Sequence, residues 1–292
     1  MLVVVLAWAS CFVLIRWGLQ DSPVLWFAAL RALVAGLALL AAAAVIPDEA
    51  ATRSVPRELR TWMLIGVLAV LNVTVAFGAM AASTTGITTG PASVLANTQA
   101  LLVVLPAWWL FGERPRWGEL AAVATGFSGL VLVALPSGGG SGAWVALAAA
   151  VGVASGALLA RRLAVVDILA LGAWQFLLGG AVLVVVAAVL EGPPAITWSA
   201  RFVAALSLLA LAATALPYVL WFAELRRASL TAVTSWTLLV PVVGVLLGVI
   251  VLGEGVTATE AVGYAIVVLA LALVTLSSRA GARRASPPRT SR

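Results

Sequence analysis

The 292-residue chain has no histidine, no lysine, one cysteine and two tyrosines, and only 10% of its residues are charged. With no histidine and Cys11 alone, it offers no zinc-binding set, no cysteine–histidine nucleophile and no intrachain disulfide. Cys11 lies in an apolar run, where packing is its ordinary role. The missing histidine and lysine also remove the usual buried proton carriers. All eleven carboxylates (Asp21, Asp48, Glu49, Glu58, Glu113, Glu119, Asp167, Glu191, Glu224, Glu254 and Glu260) fall at the ends of apolar stretches or between them. An enzyme acting on lipids would need paired carboxylates, a nucleophile with its base, or metal ligands near an interface, and no such cluster is visible. No catalytic residue, metal site or cofactor is therefore expected.

What the chain does have is apolar length. Hydrophobic residues make up 63% of it and the mean hydropathy is +1.15. A soluble domain is roughly half apolar and a quarter charged. Long unbroken apolar runs favour membrane-spanning helices over the alternating pattern of a barrel. Cutting at polar and Pro/Gly-rich interruptions predicts spans near 2–18, 25–46, 62–82, 90–111 and 117–136, then 143–160, 168–190, 202–223, 230–252 and 259–277. The first span lacks the charged leader of a signal peptide, so cleavage is not expected. Residues 279–292, rich in Arg, Ser and Pro, read as a disordered cytoplasmic tail.

The formal charge of +6 comes from arginine alone. In a soluble chain it would suggest nucleic acid, but position decides otherwise. With ten spans and the N-terminus inside, fourteen of the seventeen arginines fall on one side: Arg53, Arg57, Arg60, Arg114, Arg116, Arg161, Arg162, Arg226, Arg227 and five in the tail. Only Arg201 falls in an opposite connection. The positive-inside rule then puts both termini in the cytoplasm of a bacterial-type inner membrane, in contact with lipid and not with nucleic acid.

The second half repeats features of the first. Gly112-Glu113 and Gly253-Glu254 close the fourth apolar stretch of each half, and Glu119 and Glu260 follow six residues after each glutamate. Ala9-Ser10 aligns with Ala154-Ser155, Arg16 with Arg161, Arg31 with Gln175 and Gly36 with Gly180. Two units, 1–137 and 138–278, of five helices each must enter the membrane in opposite senses, which makes them inverted repeats.

These residues resemble the drug/metabolite transporter superfamily in its EamA-type branch. The resemblance rests on Trp8-Ala9-Ser10-Cys11-Phe12, on Arg31 within Phe27-Ala28-Ala29-Leu30-Arg31, on both Gly-Glu pairs and on Pro241, thirteen residues before Glu254. Two departures stand out: the first half has Ala100 where that proline would fall and carries Pro106 instead, and Ala9 replaces the common glycine. The resemblance implies an all-α integral membrane protein whose ten helices surround a central cavity, an exporter-like carrier with alternating access. Small organic metabolites such as amino acids are the first substrate class to expect, with multidrug efflux on the same fold as the alternative. Lacking an embedded carboxylate, the chain does not match the coupling mechanism of the small multidrug exporters, so facilitated diffusion or exchange is expected. A monomer or weak homodimer is expected.

Candidate site residues follow from polarity inside apolar spans. A charge in a bilayer costs about 2.5–3.5 kcal/mol on insertion scales. Arg31, two turns into the second span, could hold a substrate carboxylate by a bidentate bond, or could pair with backbone carbonyls and helix ends that tie the first repeat together. Arg16, near Trp17, reads as snorkelling to the interface. Ser10, Asn72, Ser93, Asn97, Gln99, Gln175, Tyr218, Ser235 and Trp236 are the other cavity candidates, although hydrogen bonding between helices explains any one of them equally well. Convergence of Asn97, Gln175 and Trp236 on one cavity would favour the first reading. Pro106 and Pro241 are expected to bend helices. Glu113 and Glu254 are expected to brace or gate the turn into the next helix.

Overall fold

A computed structural model describes residues 1–45, 58–99, 101–102, 106, 109–110, 117–134, 140–160, 163, 167–227, 236 and 239–285. Among these residues the regular structure is helical. We number the helices α1 Leu2–Gly18, α2 Val24–Val45, α3 Leu59–Gly86, α4 Thr89–Ala96, α5 Trp117–Ala134, α6 Ser141–Ala160 and α7 Ile168–Leu190. Then α8 runs through Ala200–Ser207, Leu208–Ala215 and Leu216–Arg227, followed by α9 Leu239–Leu252 and α10 Ala258–Ala285. Five of them, α2, α3, α6, α7 and α8, carry stretches long and apolar enough to cross a membrane. Their exteriors agree, since Leu37, Val67, Val151, Val185 and Val203 stand exposed, a surface that water would not favour.

Helix starts are fixed by oxygen acceptors for the orphan N–H groups of the first turn. Asp167 Oδ1 accepts from Ala170 N at 2.7 Å at the start of α7. Ser199 Oγ accepts from Phe202 N at 3.0 Å at the start of α8. At α10, Thr257 and Glu260 form a reciprocal capping box: Thr257 N donates to Glu260 Oε2 at 2.8 Å, and Glu260 N donates to Thr257 Oγ1 at 3.2 Å.

Packing pairs α2 with α7, α5 with α10 and α4 with α9, while α3 lies against α6 and α1 against α8 and α9. Small residues set the approach. A methyl group on Gly152 of α6 would lie 2.7 Å from Leu71 O, and one on Gly263 of α10 would lie 2.9 Å from Gly129 O. Such contacts are what small residues permit in membrane bundles, where packing rather than water exclusion holds helices together. One core cluster gathers Phe27, Leu39, Leu183 and Phe202; another gathers Leu95, Leu130, Ala146 and Val267.

Three features differ from the expected spans. First, α3 and α8 each contain a π-helical segment, Val70–Val75 and Leu208–Ala215. Such bulges mark functional sites more often than chance, because an extra residue re-aims neighbouring side chains. Second, the fourth span, expected as one helix over 90–111, breaks at Asn97–Thr98. The cause is local: Asn97 Nδ2 donates to Ser93 O at 2.7 Å and Thr98 Oγ1 to Leu95 O at 2.6 Å. Both side chains compete for carbonyls that the helix would use. Third, α10 continues to Ala285, past the expected start of a disordered tail, through a run rich in Ala and Arg, both good helix formers.

Candidate functional site

Arg31 is the best-defined polar centre inside the bundle. It is 4% exposed, and its guanidinium is held by soft groups. Nε donates to Thr214 Oγ1 at 3.0 Å, one terminal nitrogen meets Cys11 Sγ at 3.5 Å, and the other meets Met80 Sδ at 3.6 Å. The guanidinium carbon lies 3.9 Å from the centre of the Phe77 ring, a cation–π geometry that is strongest where water is excluded. Thr214 sits in the π segment of α8 and donates to Leu209 O at 2.7 Å, five residues back. The bulge thus turns one hydroxyl into an acceptor for Arg31. No carboxylate among the described residues lies against Arg31.

A second polar chain stands opposite. Asn72 Nδ2, in the π segment of α3, donates to Gln175 Oε1 at 3.1 Å, and Gln175 Nε2 donates to the Tyr218 hydroxyl at 3.1 Å. Gln175 is 2% exposed. Two rings join the centres: Phe77 lies 5.5 Å from Phe176, and Phe176 lies 5.8 Å from Tyr218. Glycines make room, for a methyl on Gly156 would meet Asn72 Cβ at 2.7 Å and one on Gly172 would meet a Tyr218 ring carbon at 2.5 Å. Arg31 and Gln175, aligned in the sequence, therefore each face the π segment of a third helix: Arg31 that of α8, Gln175 that of α3.

The other polar candidates distribute differently. Ser10 Oγ donates to Ala7 O of its own helix at 2.8 Å. Asn97 is occupied by Ser93 O. Gln99 is half-buried. Pro241 is buried in α9, and Pro106 is half-buried and helical. Trp236, expected as an inner wall, is 42% exposed, and Gln175 is engaged by Asn72 and Tyr218, so nothing among the described contacts joins Asn97, Gln175 and Trp236. Ser235 and Glu113 lie outside the described residues. Sequence reasoning missed Thr214, Met80, Phe77 and Phe176. Of these, Thr214 left a signal, since it is one of only two hydroxyl residues between Phe202 and Leu216.

The end of the bundle remote from both termini is tied by three carboxylates. Glu191, just past α7, accepts from Leu25 N at 3.0 Å and Trp26 N at 3.2 Å, which caps the start of α2. Glu254, just past α9, accepts from Thr89 N at 2.8 Å and Gly90 N at 3.2 Å, which caps the start of α4. This corrects the expectation that Glu254 braces the turn into α10, a role taken by Glu260. Arg16, expected to reach for the interface, donates to Ile87 O at 3.2 Å and stands 3.8 Å from Glu254 Oε1. Asp21 accepts from Arg201 Nη2 at 2.8 Å, Arg201 Nε at 3.0 Å and Ser199 Oγ at 2.9 Å. The Arg201 hydrogen bonds hold the Asp21 carboxyl below its usual range, with help from Ser199.

Known proteins resemble this chain in sequence and in fold. The description "EamA-like transporter family" matches residues 1–135 and again residues 140–276. A protein of Salmonella typhimurium named "Probable amino-acid metabolite efflux pump" is 30% identical over 288 residues, covering 92% of this chain and 91% of that protein. An inner membrane transporter of Escherichia coli is 30% identical over 278 residues, covering 92% and 87%. One solved structure superimposes with a TM-score of 0.69 at 21% identity, over 98% of this chain and 97% of that one, a likeness of fold. With that family matching nearly the whole length in two consecutive stretches, the chain belongs to the EamA-like transporter family.

Proposed function

We propose that this protein is an inner-membrane carrier that exports small organic metabolites, amino acids foremost, by alternating access between two inverted five-helix repeats of ten spans. The paired packing of α2 with α7, α4 with α9 and α5 with α10 supports the repeat, because a pseudo-twofold axis brings equivalent helices together. The π segments in the third helix of each half support it independently.

The observation that carries the substrate class is the Arg31 site. A buried guanidinium is expensive unless charge or strong acceptors meet it. Here its protein partners are a hydroxyl, a thiol, a thioether and a ring. A substrate carboxylate supplies the missing negative charge, and the aromatic row Phe77, Phe176 and Tyr218 offers an apolar wall for its side chain. The relative from Salmonella typhimurium carries an amino-acid efflux name, in agreement with this reading. The described carboxylates, the buried Glu260 included, stand at or near helix ends and not at the middle of a span, which favours uniport or exchange over proton coupling.

The test is counterflow. Purified protein in liposomes preloaded with unlabelled amino acids, without any ion gradient, should accumulate labelled amino acids saturably. A well-folded preparation that accumulates none across the panel would remove the amino-acid reading.

A further inference from the structure

Three buried side-chain nitrogen or oxygen atoms lack a hydrogen-bond partner among the described residues: Arg16 Nε, Thr89 Oγ1 and Ser93 Oγ. Buried polar groups are almost always satisfied, so each such group calls for an explanation. These three share one place. Thr89 and Ser93 are both fully buried and stand one turn apart on the face of α4 that meets α9. Their counterparts on α9 are Gly248 and Gly244: a methyl on Gly248 would lie 3.5 Å from Thr89 Cβ, and one on Gly244 would overlap the Ser93 hydroxyl. Arg16 reaches the same corner through Ile87 O and Glu254.

A seam of glycines facing idle hydroxyls is a poor permanent contact. A small apolar residue at either position would pack there without leaving an oxygen unbonded, and an unsatisfied buried hydroxyl costs about 1–3 kcal/mol. The hydroxyls find partners if the seam opens to water. What holds the seam shut is at its end: Glu254 of the α9 side caps the first N–H groups of α4, where a carboxylate is favoured by the helix dipole.

We propose that the α4–α9 seam is the gate on the face remote from the termini, latched by Glu254 on Thr89 and Gly90 with Arg16 beside it, and that Thr89 and Ser93 line the passage when it opens. This rests on the alternating-access reading above. Closing strips these two hydroxyls of water and opening restores it, so the latch and the idle hydroxyls oppose each other, the balance a gate needs if neither state is to dominate.

The geometry supplies the test. A Cβ–Cβ separation of 3.5 Å at Thr89 and Gly248 is within disulfide range, and the native Cys11 is buried. In the double variant Thr89→Cys/Gly248→Cys, where the new Cβ at position 248 also comes 2.7 Å from Glu254 Oε2, complete oxidation should abolish whatever counterflow the same protein shows when reduced. Counterflow that persists in fully cross-linked protein overturns the gate. Independently, Ser93→Cys should react slowly with a membrane-impermeant maleimide added at the termini-remote face, and roughly tenfold faster when Glu254→Gln weakens the cap, a factor set by typical capping energies. A labelling rate indifferent to Glu254→Gln also overturns it. If the unmodified chain exchanges no amino acid at all, labelling alone decides: a Glu254-dependent rate keeps the gate and discards the amino-acid reading, whereas an unchanged rate discards the gate.

Discussion

Replacing Gly179 with alanine tests whether α7 and α3 touch as closely as described. The added Cβ would lie 2.5 Å from Val73 Cβ and 2.6 Å from Ala69 O. Neither atom can swing away, since one is a carbonyl oxygen and the other sits at the root of a β-branched side chain in the π segment. Relief therefore requires the helices to separate by about 1 Å, to reach ordinary van der Waals contact. That displacement would stretch the bonds from Thr74 Oγ1 to Gly179 O at 3.0 Å and from Asn72 to Gln175 at 3.1 Å past the useful limit. Overpacking costs about 1–3 kcal/mol and the two hydrogen bonds about 1 kcal/mol each. Against this stands up to about 1 kcal/mol of helix propensity gained on leaving glycine. The net loss is about 2–4 kcal/mol, or roughly 4–16 °C in melting temperature by the usual size scaling. Gly66→Ala is the control, because nothing lies within 4 Å of a Cβ there and only the propensity gain remains. Thermal unfolding in detergent, followed by tryptophan fluorescence, reads both. If Gly179→Ala melts with Gly66→Ala or above it, the close packing at this crossing is wrong.

Three further outcomes are expected. Arg31→Gln should raise the KM for an amino acid about 10- to 150-fold, the span of a charge-assisted hydrogen bond, while leaving the KM of the corresponding carboxamide nearly unchanged in the same counterflow assay; equal losses for acid and amide would count against carboxylate recognition. The Asp21 link to Arg201 is acid-sensitive. Because its folded-state pKa lies below the unfolded value of about 3.9, its contribution is present above that value and lost as pH falls through the folded pKa, so Asp21→Asn should narrow the melting difference between pH 6 and pH 3, and an unchanged difference would refute the link. Glu260→Ala should weaken the first turn of α10 by about 1 kcal/mol, seen as faster amide exchange at Thr257–Ala261, with equal exchange in both proteins as the refuting result.

The sequence was most informative where chemistry changes abruptly. The limits of α1 and α7 match their predicted spans because Gly18 and Leu190 are followed within a few residues by Asp21 and Glu191, and Asp167 opens α7. Inside the spans the signal fades, since helices that are apolar all round give no face to read. The π segments leave no compositional mark on Val70–Val75 or Leu208–Ala215. The polar run Asn97-Thr98-Gln99 hints at the break after Ala96, yet polarity alone makes Asn97 a cavity candidate when it and Thr98 act on their own helix. Gln175 illustrates the limit of polarity as a guide: the residue is central, but its partners Asn72 and Tyr218 are 103 and 43 positions away. Glu254 stands out in the sequence by its spacing, but its partner is the start of α4, 165 residues earlier, which no local pattern announces.

The wide turns of α3 and α8 carry a consequence for how this chain tolerates insertion and deletion. Each holds one residue more than regular winding would use, so removing a residue from Leu208–Ala215 would tighten the coil and improve its own hydrogen bonding. The same removal would turn everything beyond it by about 100° around the axis, swinging Tyr218 off Gln175 and carrying its ring away from Phe176. In these two helices a locally better spiral would be a globally misaligned one, and length itself, more than the identity of any residue in the bulge, is what the inner polar contacts depend on.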